Sequence, residues 1–241
     1  MDRKKTLIRL LNYARACLQE FSDSIPESEH TLIGEPDHWT AKDHLAHIAY
    51  WQADFNHRLA RRDKQTPQAT DVDKENLKVF HLYRDKTWLE VRQLLDETFQ
   101  GFSRDLRLLS EEDLQSMTLL PSISNRALWQ SIIGNGIVHP LSHLGMVYSE
   151  RGDRHKTIDI EETILEDLQS LDESSKWRSM NIYNLACAYS LAGYPDKAIE
   201  QLKEALQLNP ELTDWSTHDP DLNPLHELVE YKKLYSIPAN H

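Results

Sequence analysis

Leu7, Leu10, Leu11, Ala14, Leu18 and Phe21 recur every three or four residues, the period of a helix with one face turned inward. The same spacing returns three times before residue 150. "SDSIPESEHTLIGEPDHW" interrupts it with two prolines and a glycine, and a second helix then starts near Thr40, with Asp43 three residues on, and runs to about Arg62. After the polar "DKQTPQATDVD" a third helix is predicted from about Asn76 to Leu108, with a break near Gly101. A fourth is predicted from about Leu128 to Glu150. Only seven glycines occur in 241 residues, so few turns call for a positive φ and an all-β design is disfavoured. The expected fold is all-α: a four-helix up-down bundle over residues 1–152, followed by a helical extension over residues 153–241.

The extension has its own signature. "IYNLACAYSLAGYPDKAIEQLKEALQLNP" (182–210) fits the 34-residue tetratricopeptide pattern, with Leu185, Tyr189, Ala198, Ala205 and Pro210 on signature positions. Small residues at 186, 198 and 205 let two antiparallel helices approach closely, while Tyr189 and Leu202 fill the space between them. Upstream, Tyr148-x-x-x-Gly152 echoes Tyr189-x-x-x-Gly193, and downstream "DPDLNPLHELVEYKKLY" reads as a capping helix. A lone repeat cannot bury both its faces, so these flanking helices are needed.

The net charge of −12 is unevenly spread. Residues 1–150 carry 18 Lys+Arg against 22 Asp+Glu (−4), and residues 151–241 carry 9 against 17 (−8). Such a surface repels a phosphate backbone, and the basic clusters "RKK" and "RLARR" are short enough to be solvated helix ends. No nucleic-acid partner is expected. No apolar run reaches the length of a membrane span, and Cys17 and Cys187 sit far apart among apolar neighbours as reduced thiols would. The expectation is a cytoplasmic protein without membrane contact.

Chemistry enters with the histidines. "HWTAKDHLAHIAYWQ" (38–52) carries His44 and His47 on a helix otherwise suited to a core, and "VHPLSHLG" carries His139 and His143 four residues apart. That second spacing stacks two imidazoles on one helix face, roughly 5–6 Å apart at Cβ, able to chelate one transition metal. A third imidazole from a facing helix would complete a three-nitrogen site with an open position. Helical geometry alone admits either His44 or His47 as that third ligand.

The motif W-T-x-K-D-x-L-x-H-I-x-x-W at 39–51, followed about ninety residues later by H-x-x-x-H, resembles the DinB-like superfamily. "DVDKENLKVF…TWLEVRQLLDETF", "LSEEDL" and "IIGNGIVHPLSH" resemble landmarks of its ClbS/DfsB-like subgroup. The resemblance covers about residues 1–150. It implies a four-helix bundle with a divalent transition metal, zinc or nickel, held by His47, His139 and His143, and leaves His44 as a neighbour. Asp43, His44 and Trp51 are then pocket or orienting residues. Some relatives of this subgroup lack the triad, and Pro140, directly after His139, kinks the helix or marks its start.

The function so implied is a hydrolase or a thiol S-transferase acting on a small reactive molecule, in self-protection; the catalytic residues are not assigned. The competing reading is a non-catalytic scaffold that recruits a protein or peptide through residues 153–241, basic if the acidic charge guides it. A homodimer through helix faces is compatible with either.

Overall fold

The computed structural model describes residues 2–61, 71–120 and 126–236, and the polar 62–70 connection lies outside them. The described residues are helical, with one isolated bridge, Glu35 to His38, and no strand. None of their helices is long and apolar enough to cross a membrane. The chain divides into two compact units, Met1–Val147 and Tyr148–His241.

In the first unit α1 (Arg3–Ser24) begins at Asp2, whose side chain accepts from the Lys5 amide, and buries Leu7, Leu10, Leu11, Ala14, Leu18 and Phe21. A single 3₁₀ turn at Glu27–Glu29 follows. α2 (Ala41–Arg61) starts at a reciprocal cap: the Asp43 Oδ2 accepts from the Thr40 amide at 2.8 Å, and the Asp43 amide donates back to Thr40 Oγ1 at 3.3 Å. α2 packs against α3 (Val72–Tyr83) and, more extensively, α4 (Trp88–Leu108), which also meets α1.

The predicted third helix is therefore two helices, and the break falls at 84–87, not near Gly101. Two devices set it. Thr87 and Glu90 form a capping box that starts a new helix. The buried Lys42 of α2 donates its ammonium to the Arg84 carbonyl at 3.1 Å and the Lys86 carbonyl at 2.9 Å, satisfying the turn. Gly101 stays helical inside α4.

A short α5 (Glu111–Gln115) precedes the last helical run: α6 (Leu128–Ile133), a π-turn at Gly134–Val138, then α7 (His139–Glu150). The His139 amide reaches back five residues to the Gly134 carbonyl, so one residue more than an α-helix needs is accommodated here. Pro140 has no N–H, and the Gly136 carbonyl four residues before it instead accepts from Gln52 Nε2 of α2 at 3.4 Å. A Cβ at Gly136 would lie 2.7 Å from Phe102 Cε1, so the π-turn and α4 approach at a distance only glycine permits.

In the second unit α8 (His155–Leu171), α9 (Ser175–Ala192) and α10 (Pro195–Leu208) pack in succession, α9 most closely on α10. Ala186, Ala198, Leu202 and Ala205 are wholly buried where those two helices meet. α9 ends at Gly193, φ +84°, and the Tyr194 amide donates to the Tyr189 carbonyl at 2.9 Å. The echo upstream is structural: Gly152 has φ +77°, the Asp153 amide donates to the Tyr148 carbonyl at 2.8 Å, and Lys156 lies 5.0 Å from the Tyr148 ring centre as Lys197 lies 4.9 Å from that of Tyr189. α11 (Leu212–Ser216), a 3₁₀ segment (Pro220–Leu225) and α12 (Val229–Ser236) complete this unit, adding Leu212, Leu222, Leu225 and Tyr231 to its core.

Candidate metal centre

Four imidazoles come together in the first unit, two from the N-terminal half of α2 and two from the first turns of α7. His139 is the hub: its Nε2 lies 3.0 Å from His47 Nε2 and 3.2 Å from His143 Nε2. One ring nitrogen from each of the three lies within 4.8 Å of the other two. A tetrahedral ion with metal–nitrogen distances of about 2.0–2.1 Å separates its nitrogens by about 3.3 Å, so the spacing around His139 fits such an ion. The donor set fits as well, being all nitrogen.

Burial prepares these rings for that role. Loss of hydration lowers His44 to about 4 and His139 to about 4. It lowers His47 to about 3, with His139 and His44 adding repulsion, and His143 to about 2, with His47, His139 and His44 adding theirs. All four are neutral near pH 7, the state in which an imidazole carries a lone pair for a metal.

The remaining sequence-derived candidates occupy distinct places. His44 presents Nδ1 to His143 Nδ1 at 3.0 Å, on the side of that ring away from His139. Asp43 spends its Oδ2 on Thr40 at the start of α2. Trp51 meets His47 edge-on at 6.2 Å between ring centres, but its indole N–H donates to Asn76 Oδ1, which ties α2 to α3. Tyr50 does the same through Glu75, and burial together with that carboxylate pushes its hydroxyl up to about 12. His47 Nδ1 is buried with no hydrogen-bond partner.

Sequence reasoning passed over Trp39 and Gln52. The Trp39 ring lies 4.9 Å from His47, 5.3 Å from His44 and 6.1 Å from His143, nearly parallel to the last. A signal for it existed. Trp39 precedes the capping Thr40 and His44 is the fourth helical residue, the two positions that fold over each other at many helix starts. Gln52 had no such signal, because its role depends on where the π-turn places the Gly136 carbonyl. Beside His47 a small cavity is lined by Trp39, Ala46, Val79, Phe80 and Tyr83.

A helical unit thus brings three neutral imidazoles from two helices to one point, a group that could hold a metal ion. Comparison with known families gives the particular one: the model of the DinB superfamily matches residues 10–147, and the chain belongs to that superfamily. Its members bind divalent metals. A tetratricopeptide repeat model matches residues 181–212. No curated protein and no solved structure matches the chain.

Proposed function

We propose that His47, His139 and His143 hold a divalent transition metal, zinc or nickel, and that the chain is a hydrolase or thiol S-transferase for a small reactive or toxic molecule. The observation that carries this reading is the approach of the His47 and His143 Nε2 atoms to that of His139, at 3.0 and 3.2 Å. Membership of a superfamily whose members bind divalent metals supports it. The ClbS/DfsB-like landmarks in α3, α4, α5 and the π-turn favour a self-protection substrate.

When bound, a cation of this kind supplies Lewis acidity toward water or a thiol. The chain's own part is to keep three imidazoles neutral and aimed, and burial does both. Trp39 lies against the rings of His47 and His143.

Metal analysis of protein purified without a histidine tag tests the reading. About one transition ion per chain is expected, absent from the H47A/H139A/H143A variant. A metal-free wild type whose triple variant matches it in stability and activity would overturn it.

The tetratricopeptide repeat favours a second role, docking of a protein or peptide on residues 153–241. The −8 charge of residues 151–241 points to a basic partner. Binding of basic peptides to the full chain that weakens with salt is expected; no binding, or indifference to salt, removes this role.

A further inference from the structure

His143 offers both ring nitrogens to other imidazoles: Nε2 to His139 at 3.2 Å and Nδ1 to His44 at 3.0 Å. A neutral imidazole has one N–H and one lone pair. For Nε2 to point a lone pair into the cluster, the proton of His143 must sit on Nδ1, and that N–H needs an acceptor. The atom 3.0 Å away is His44 Nδ1. His44 lies one turn before His47 on α2, only 4% exposed, with the Trp39 ring 5.3 Å from its own. The ring is thus held in place before any ligand arrives. Asp43 next to it is held by Thr40 through its Oδ2.

We propose that His44 is a positioning residue: it accepts the Nδ1 proton of His143, fixing the tautomer and ring rotation that turn His143 Nε2 toward His47 and His139. This rests on the metal-centre reading above. It also makes the surroundings unusual in charge. Where a carboxylate behind a metal-ligating histidine would raise its basicity, here the acceptor is neutral, so His143 remains a weaker donor and the ion keeps more of its charge. His47 contrasts with it, having no partner at Nδ1.

The test uses the full chain, untagged and stripped of metal, titrated with cobalt(II) against a competing chelator while the visible spectrum is recorded. His44→Asn places an amide oxygen near the Nδ1 position and keeps an acceptor; His44→Gln carries its amide further out, near Nε2. We expect His44→Gln to weaken cobalt binding by about 10–100-fold and change the absorption band, and His44→Asn to restore both most of the way. Melting of the two metal-free variants is expected to be alike, which separates positioning from a general loss of fold. Equal affinity and spectrum for wild type and His44→Gln, or equal losses in both variants, would overturn the assignment of His44 alone. A wild type that binds no cobalt would remove the metal centre itself, and this proposal with it.

Discussion

Gln52 and Pro140 act on the same carbonyl: proline cannot donate to the Gly136 oxygen, and the Gln52 amide does so from α2 at 3.4 Å. Gln52 is only 3% exposed, so loss of its amide strands a buried acceptor. Gln52→Leu is expected to destabilise the chain by about 1–3 kcal/mol. In a domain of this size that lowers the melting temperature by roughly 2–4 °C per kcal/mol, read by thermal unfolding of the metal-free protein.

The two glycines within the π-turn should respond in opposite directions. Gly136→Ala puts a methyl 2.7 Å from the Phe102 ring and 3.3 Å from Leu11, and overpacking of this kind costs about 1–3 kcal/mol. At Gly134 a Cβ meets nothing within 4 Å and the backbone is right-handed helical, φ −56°. Gly134→Ala should be neutral or stabilise by up to about 1 kcal/mol, since it removes freedom from the unfolded chain alone. Denaturant midpoints of the two variants measure the contrast.

Acid should weaken the metal-free protein through the histidine cluster. In the unfolded chain these rings titrate near 6.5; folded, they are depressed to between about 2 and about 4. Below pH 6.5 the unfolded state therefore binds protons that the folded state refuses, and stability falls as pH drops toward 4. His47→Asn removes one such ring, and its melting temperature should decline less steeply between pH 7 and pH 4.5 than that of wild type. Parallel declines would contradict this account of burial.

Trp39 should report on the site by fluorescence. With its ring 4.9 Å from His47 and stacked toward His143, it lies within quenching reach of a paramagnetic ion held there. Cobalt(II) added to the untagged protein is expected to quench part of the tryptophan emission, and Trp39→Phe to reduce that quenching, with Trp51, 6.2 Å from His47, accounting for the remainder. Quenching undiminished in Trp39→Phe would place the ion elsewhere.

Much of this organisation can be read from residue order, and the exceptions share a cause. All six apolar residues that mark the first helical period are buried in α1, because a helix exposed on one side sorts its residues by a fixed angle. The small residues at 186, 198 and 205 were legible for the same reason, as helices that approach closely leave no other choice. The division at 84–87 was hidden because Trp88, Val91 and Leu95 continue the apolar rhythm of Phe80 across it. The Thr87–Glu90 capping box that starts the new helix can be read there, but the Lys42 ammonium that satisfies the turn comes from a residue distant in sequence. The histidine spacing indicated which rings could meet, and the place of Trp39 just before the capping Thr40 pointed to His44, but the partner of Gln52 is a backbone atom that carries no residue type.

The five residues 134–138 complete one broad coil where an α-helix would use fewer. Five residues of this wider coil turn through about the angle that four cover in an α-helix, so a one-residue deletion there would restore ordinary winding and leave the residues on either side facing as before. His139 and His143 would then still face α2, with their own four-residue spacing intact. The surplus residue is thus absorbed where it arises, in a stretch that contributes no donor atom, and the two histidines keep the face that an unbroken helix would give them.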